Sequence, residues 1–298
     1  MSILASAWQR VPVVIRAVIV GTIVAAVATY PWAWLAAANT RHLPTVPWGP
    51  LVMAVYLWCY WWYVTGRGRP ASTSAFRRRN ARVRAVSSSA FGAAMIAGIF
   101  GLWSSVALLR LIGRLSGHAL GGASGVGHLS AITIAAFVLM GSIVAGVAEE
   151  IAFRGYMQRP IEQRYGPVAA ILTTGIMFGL AHGGHTYWSL ALMPYYLAVG
   201  AVYGTMTYLT DSVVPSLTLH AVGDALDGLL AVSGGGSAGA SSSSTGPALA
   251  PEAALILNVA VIVITAAIAT WAFRALASTV REEHAGPAFA RGIAGIAS

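Results

Sequence analysis

Glu149-Glu150-Ile151-Ala152-Phe153-Arg154 closes the apolar run 131–147, and the reading of this stretch decides the rest of the chain. Two carboxylates and a guanidinium stand at the end of a membrane-type helix. Charge inside a bilayer is costly, so ionisable residues there mark a functional site by default. The plain alternative is a helix end that reaches water with an ordinary ion pair.

The surroundings of that stretch are strongly apolar. The chain has 298 residues, 57% hydrophobic and only 9% charged, against roughly 25% charged in a soluble domain. Runs of about 20 apolar residues recur, long enough to cross a bilayer. The expectation is an all-α, polytopic membrane protein: a single membrane domain over 1–298, with a core at 131–230 and a flexible Gly/Ser loop at 233–250. The net charge of +9 comes wholly from Arg, because the chain has no Lys. Such charge sets orientation against anionic lipid. No zinc-finger or other nucleic-acid signature is present, so lipid is an expected partner and nucleic acid is not. A single cysteine, Cys59, excludes an internal disulfide and a cysteine-based metal cluster. The apolar run after Val11 is too long for a signal-peptide core and reads as a first membrane helix.

Hydropathy predicts about eight transmembrane helices: 13–37, 51–64, 91–112, 131–164, 168–181, 188–209, a seventh ending near Leu230, and 253–275. Gly/Ser-rich residues 116–130 link the third to the fourth, Gly166-Pro167 breaks the fourth from the fifth, and a tight turn at 211–215 precedes the seventh. The cluster Arg77, Arg78, Arg79, Arg82 and Arg84, with Arg67 and Arg69 before it, reads as a cytoplasmic orientation signal. With that loop inside, fifteen arginines fall at the inner side and only Arg41, Arg110 and Arg114 outside. This predicts an integral protein of a bacterial plasma membrane with both termini cytoplasmic.

Depth then groups the polar residues. Glu149 lies 17 residues before Gly166 and His182 lies 16 after it, so an antiparallel hairpin brings both to one level, about 15 Å inside the inner boundary. His220, nine residues past Asp211, reaches the same layer. His220 and Asp224 are i, i+4 and share a face, which Asp227 extends. Glu150 and Arg154 are also i, i+4, acid first. On an α-helix Glu149 points about 100° away from Glu150. The expected division of labour is therefore Glu150 neutralised by Arg154, with Glu149 left free to face His182. His42, His118, His128 and His284 are given no catalytic part. The glycines around Phe178 and His182 are equally compatible with close helix packing alone.

In this order, Glu-Glu-x-x-x-Arg, Phe-x-x-x-His and His-x-x-x-Asp resemble the motifs of the CPBP family, the CAAX-processing and bacteriocin-processing intramembrane proteases, similar to type II CAAX prenyl endopeptidases. The resemblance covers residues 131–230. It implies an intramembrane endopeptidase (a hydrolase acting by intramembrane proteolysis) with a conical polar site in the inner half of the bilayer. Its substrate would be a membrane-associated or lipidated peptide or protein. Carried over by position, Glu149 and His182 would activate water, His220 and Asp224 would stabilise the oxyanion or bind metal, and Glu150 and Arg154 would support them. The Rce1-like form has Asn where this chain has Asp224. Asn donates to an oxyanion and an ionised Asp does not. Asp224 would then be protonated, orient His220, or ligate a metal. No cofactor is certain. A divalent metal such as zinc, held by His182, His220 and Asp224 with Glu149, would make the protein a metalloprotease. The spacing lacks a His-Glu-x-x-His helix, which favours Glu/His water activation. The alternatives are a non-catalytic CPBP-like scaffold or immunity protein and, last, a proton-relaying transporter.

Overall fold

A computed structural model describes residues 3–116, 129–184, 189–233 and 250–294. The expected Gly/Ser loop at 233–250 and most of the link at 116–130, with His118 and His128, lie outside the described residues, as does His185. Ten α-helices follow in order: α1 Ile3–Arg10, α2 Val13–Arg41, α3 Trp48–Val64, α4 Ser74–Ala81, α5 Ser88–Ser116, α6 Ala131–Glu149, α7 Gln158–Ala181, α8 Met193–Thr210, α9 Val214–Val232 and α10 Pro251–Ala294. Among the described residues there is no strand. The all-α class is as expected.

All eight expected spans are helical, but they are not eight equivalent spans. Among the described residues, four stretches are long and apolar enough to cross a membrane by themselves: Val13–Arg41, Ser88–Ser116, Ala131–Ala181 and Pro251–Glu283. The expected second, sixth and seventh spans correspond to α3, α8 and α9, of 17, 18 and 19 residues. The expected fourth and fifth fall together in the 51-residue stretch Ala131–Ala181.

That stretch is neither straight nor uniformly α-helical. Gly166 has φ 83° and ψ 169°, a conformation open to glycine and followed by Pro167, which cannot continue a helix. The chain doubles back there. Phe153 and Phe178 have ring centroids 5.4 Å apart, whereas 25 residues of continuous helix would separate them by about 37 Å. The single long fourth helix expected from hydropathy is also interrupted between α6 and α7, where Glu150–Met157 is a π-helix with every residue buried. Wide π turns disturb the α ladder and recur at functional sites.

Small residues set the spacing around this segment. A Cβ on Gly146 of α6 would come within 2.9 Å of both the Ala221 Cβ and the Leu217 carbonyl of α9, so the two helices touch at the backbone. A Cβ on Gly155 would meet the Asn80 carbonyl at 2.5 Å, which seats the Arg-rich loop on the π-helix. The apolar core is built from Phe153, Met157, Phe178, Tyr196, Tyr203, Met206 and Leu219. Meanwhile Trp34, Trp58, Trp103, Trp271 and Ile256 stand exposed on the outside. An apolar exterior around buried Glu150, Arg154, Gln158 and His220 is the arrangement of a protein solvated by lipid.

Arginines of the Arg-rich loop also hold the fold together. Arg77 is buried. It donates to the carbonyls of Tyr63, Arg67, Gly68 and Pro70, tying the chain that follows α3. Arg82, in a left-handed conformation at φ 52°, is buried between Glu162 at 2.9 Å and Asp211 at 3.0 Å. Arg84 and Arg159 reach the same Asp211 at 2.6 and 2.5 Å. The α8–α9 turn is thereby fastened to α7 and to the loop.

Candidate active site

Four elements bring the polar residues together. Glu149 ends α6 and Glu150 opens the π-helix. His220 and Asp224 come from one face of α9, and His182 follows the last residue of α7. Around His220 the geometry is tight. Its Nδ1 donates to Glu150 Oε1 at 3.0 Å, the carboxylate being acceptor-only when ionised. Its Nε2 lies 3.5 Å from Asp224 Oδ2 and 3.9 Å from Glu149 Oε2. Glu150 also meets Arg154 Nη1 at 3.0 Å. One imidazole thus stands between two consecutive carboxylates.

This differs from the expected division of labour. The pairing of Glu150 with Arg154 is present, but Glu150 holds His220 as well. Glu149 also meets the His220 ring, at 3.9 Å. The physical reason lies in α9, which packs against α6 and brings the His220 ring within reach of both carboxylates.

Aromatic rings complete the setting. Tyr203 of α8 stacks on His220 with centroids 5.0 Å apart and planes 19° from parallel. Phe178 lies 4.6 Å from His182 and 6.3 Å from His220, between the two imidazoles. Tyr196 is 4.7 Å from His182. The Arg154 guanidinium sits 4.6 Å from the Phe178 ring and 5.3 Å from Tyr203, so its charge is shared between one carboxylate and aromatic faces. The His182 Nδ1 is 2.7 Å from the Phe178 carbonyl, which fixes the ring and turns Nε2 away from its own helix.

Glu149, His182, His220, Asp224 and Asp227 all line one cavity of about 840 Å³. Its other walls are Phe178, Tyr195, Tyr196, Tyr203, Trp103 and Trp32. A roomy apolar chamber with a few convergent polar groups is the form of a substrate site. Glu149 Oε2 is buried without a hydrogen bond, a carboxylate oxygen available to a water or a substrate. Sequence reasoning missed Tyr196 and Tyr203. The signal was present, since the two tyrosines are seven residues apart on α8 and so share a face two turns apart.

Among the described residues no three His, Cys, Asp or Glu side chains are arranged to hold a metal ion. His220 Nδ1 is committed to Glu150 and His182 Nδ1 faces a carbonyl. As arranged, the expected set of His182, His220 and Asp224 with Glu149 does not fit a bound ion.

No curated protein and no solved structure matches the chain. Residues 131–226, which contain Glu149, Glu150, Arg154, His182, His220 and Asp224, match the family described as type II CAAX prenyl endopeptidase Rce1-like.

Proposed function

We propose that the protein is an intramembrane endopeptidase that hydrolyses a peptide bond of a membrane-associated or lipidated substrate with water activated by Glu149 and His182. The family match supports a protease-type enzyme of the CAAX kind. The observation that carries the finer reading is the His220 imidazole, held between Glu150 and Glu149 in the wall of the cavity.

In this reading Glu149 takes a proton from a water placed between it and His182. The oxygen attacks the scissile carbonyl carbon and the carbonyl electrons move onto oxygen. His220 donates from Nε2 to that oxyanion, with Glu150 holding Nδ1 and so fixing which nitrogen faces the substrate. Asp224 Oδ2, 3.5 Å from Nε2, faces the Nε2–H in the resting site, and the Nε2–H turns its hydrogen bond to the oxyanion as that forms, the proton staying on His220. Collapse of the tetrahedral intermediate breaks the C–N bond, and Glu149 returns its proton to the leaving amine. Asp224 thereby acts through His220, which accounts for an acid at the position where the Rce1-like form has Asn. The chain works in a bacterial plasma membrane, with this site in the inner half of the bilayer and opening to the cytoplasm.

Purified protein in proteoliposomes, given a panel of lipidated and membrane-spanning peptides, tests this. Wild type should generate new peptide termini, seen by mass spectrometry, and keep doing so after chelator treatment. Glu149→Gln should lose activity by about 10²–10⁴-fold while eluting as a folded protein. Full activity in Glu149→Gln overturns the assignment. Loss on chelation that zinc restores overturns the metal-free form of it.

A further inference from the structure

A second cavity, of about 390 Å³, is separate from the site above. It lies where α2 passes the π-helix and the start of α7, beneath α4. Val13, Ala17 and Val20 form one stripe of α2 along its wall, with Phe76 and Tyr156 opposite. Its charged lining is Arg16 and Arg164, and no Asp or Glu lines it. The nearest acid in sequence, Glu162, is engaged by Arg82 at 2.9 Å. The Nε of Arg16 is buried and has no hydrogen-bond partner, an unmet donor aimed where an acceptor is missing. Trp8, exposed at the mouth, is the residue type that anchors at a headgroup boundary.

Apolar walls with two guanidiniums and no carboxylate fit one chemistry: a monoanionic phosphodiester joined to an acyl chain. Guanidinium forks match phosphate oxygens in geometry and charge. Two arginines unopposed by acid favour an anionic headgroup over a zwitterionic one. We propose that this cavity is a binding site for an anionic phospholipid. Its phosphate lies against Arg16 and Arg164, and its acyl chain runs along the Val13–Ala17–Val20 stripe of α2. Because Met157 of α2's π-helix neighbour abuts Gly21, an occupied cavity braces the segment that begins at Glu150. The site stands independently of the proposed peptidase reading.

The test uses delipidated full-length protein titrated with short-chain phosphatidylglycerol, short-chain phosphatidylcholine and glycerol phosphate, followed by native mass spectrometry. Phosphatidylglycerol should bind saturably with one molecule per chain, at least tenfold tighter than phosphatidylcholine, and glycerol phosphate should compete weakly. Arg16→Gln and Arg164→Gln should each weaken phosphatidylglycerol by about fivefold, and Arg164→Lys should restore most of the loss. Arg164 is exposed, so its variants test the site even where Arg16→Gln folds poorly. Equal binding of the two lipids, or phosphatidylglycerol binding unchanged in both Gln variants, overturns the proposal. Glycerol phosphate binding as tightly as phosphatidylglycerol makes this a site for a soluble phosphate ester and overturns it as a lipid site.

Discussion

Glu149 and Glu150 are neighbours with opposite situations. Glu150 is fully buried, paired with Arg154 and bonded to His220. Glu149 keeps a 3.9 Å contact to His220 and an oxygen without a hydrogen bond. Their substitutions should therefore separate. Arg154→Met strands a carboxylate in the core and should cost about 3–5 kcal/mol, read as a lower thermal midpoint in detergent. Glu150→Gln should move the midpoint in the same direction. Glu149→Gln should leave it nearly unchanged while removing activity. An unchanged midpoint in Arg154→Met would contradict the buried pairing. The Glu150–Arg154 pair was legible from i, i+4 spacing alone. The bond from Glu150 to His220 was not, because it links residues 70 apart on helices whose packing no local residue pattern announces.

At the scale of elements, the site rests on close approach of α6 to α9 and on the reversal at Gly166. The reversal was readable from Gly166-Pro167, and Glu149 and His182 on its two sides line one cavity. The packing glycines were read only as permissive. Gly146→Val should cost about 1–3 kcal/mol through overpacking, because the neighbouring Leu217 carbonyl and Ala221 Cβ, each 2.9 Å from the added carbon, belong to or adjoin backbone. It should also displace His220, three residues from Leu217, and so reduce cleavage. A stable, fully active Gly146→Val would mean that α9 is free to shift. The interruption of the expected 131–164 helix by Glu150–Met157 was invisible because hydropathy reports what a helix buries and not how tightly it is wound.

Across the whole molecule, composition made the membrane class and the all-α fold plain, since an apolar exterior needs no special motif. It said less about the Arg-rich end of the molecule. The Arg cluster reads as charge, yet Arg82 spends its charge inside, gathering Glu162 and Asp211. Partial burial pushes the Asp211 carboxyl up, but Arg82, Arg159 and Arg84 outweigh it and hold the group below the ordinary carboxylate range. A carboxyl depressed in the fold contributes stability that is present above its unfolded value and lost as pH falls through the folded one. Thermal midpoints measured from pH 7 down to 3 should therefore fall in acid, below about pH 4. Asp211→Asn should start lower at pH 7 and meet the wild-type curve at the acid end; parallel curves would refute the link. The central claim, that Glu149 delivers water to a peptide bond in this cavity, is tested most directly by cleavage in H2¹⁸O. Wild type should place one ¹⁸O in the new carboxyl terminus, and Glu149→Gln should form the labelled product at least about 100-fold more slowly. Labelling by Glu149→Gln at the wild-type rate, or wild-type product without label, would contradict it.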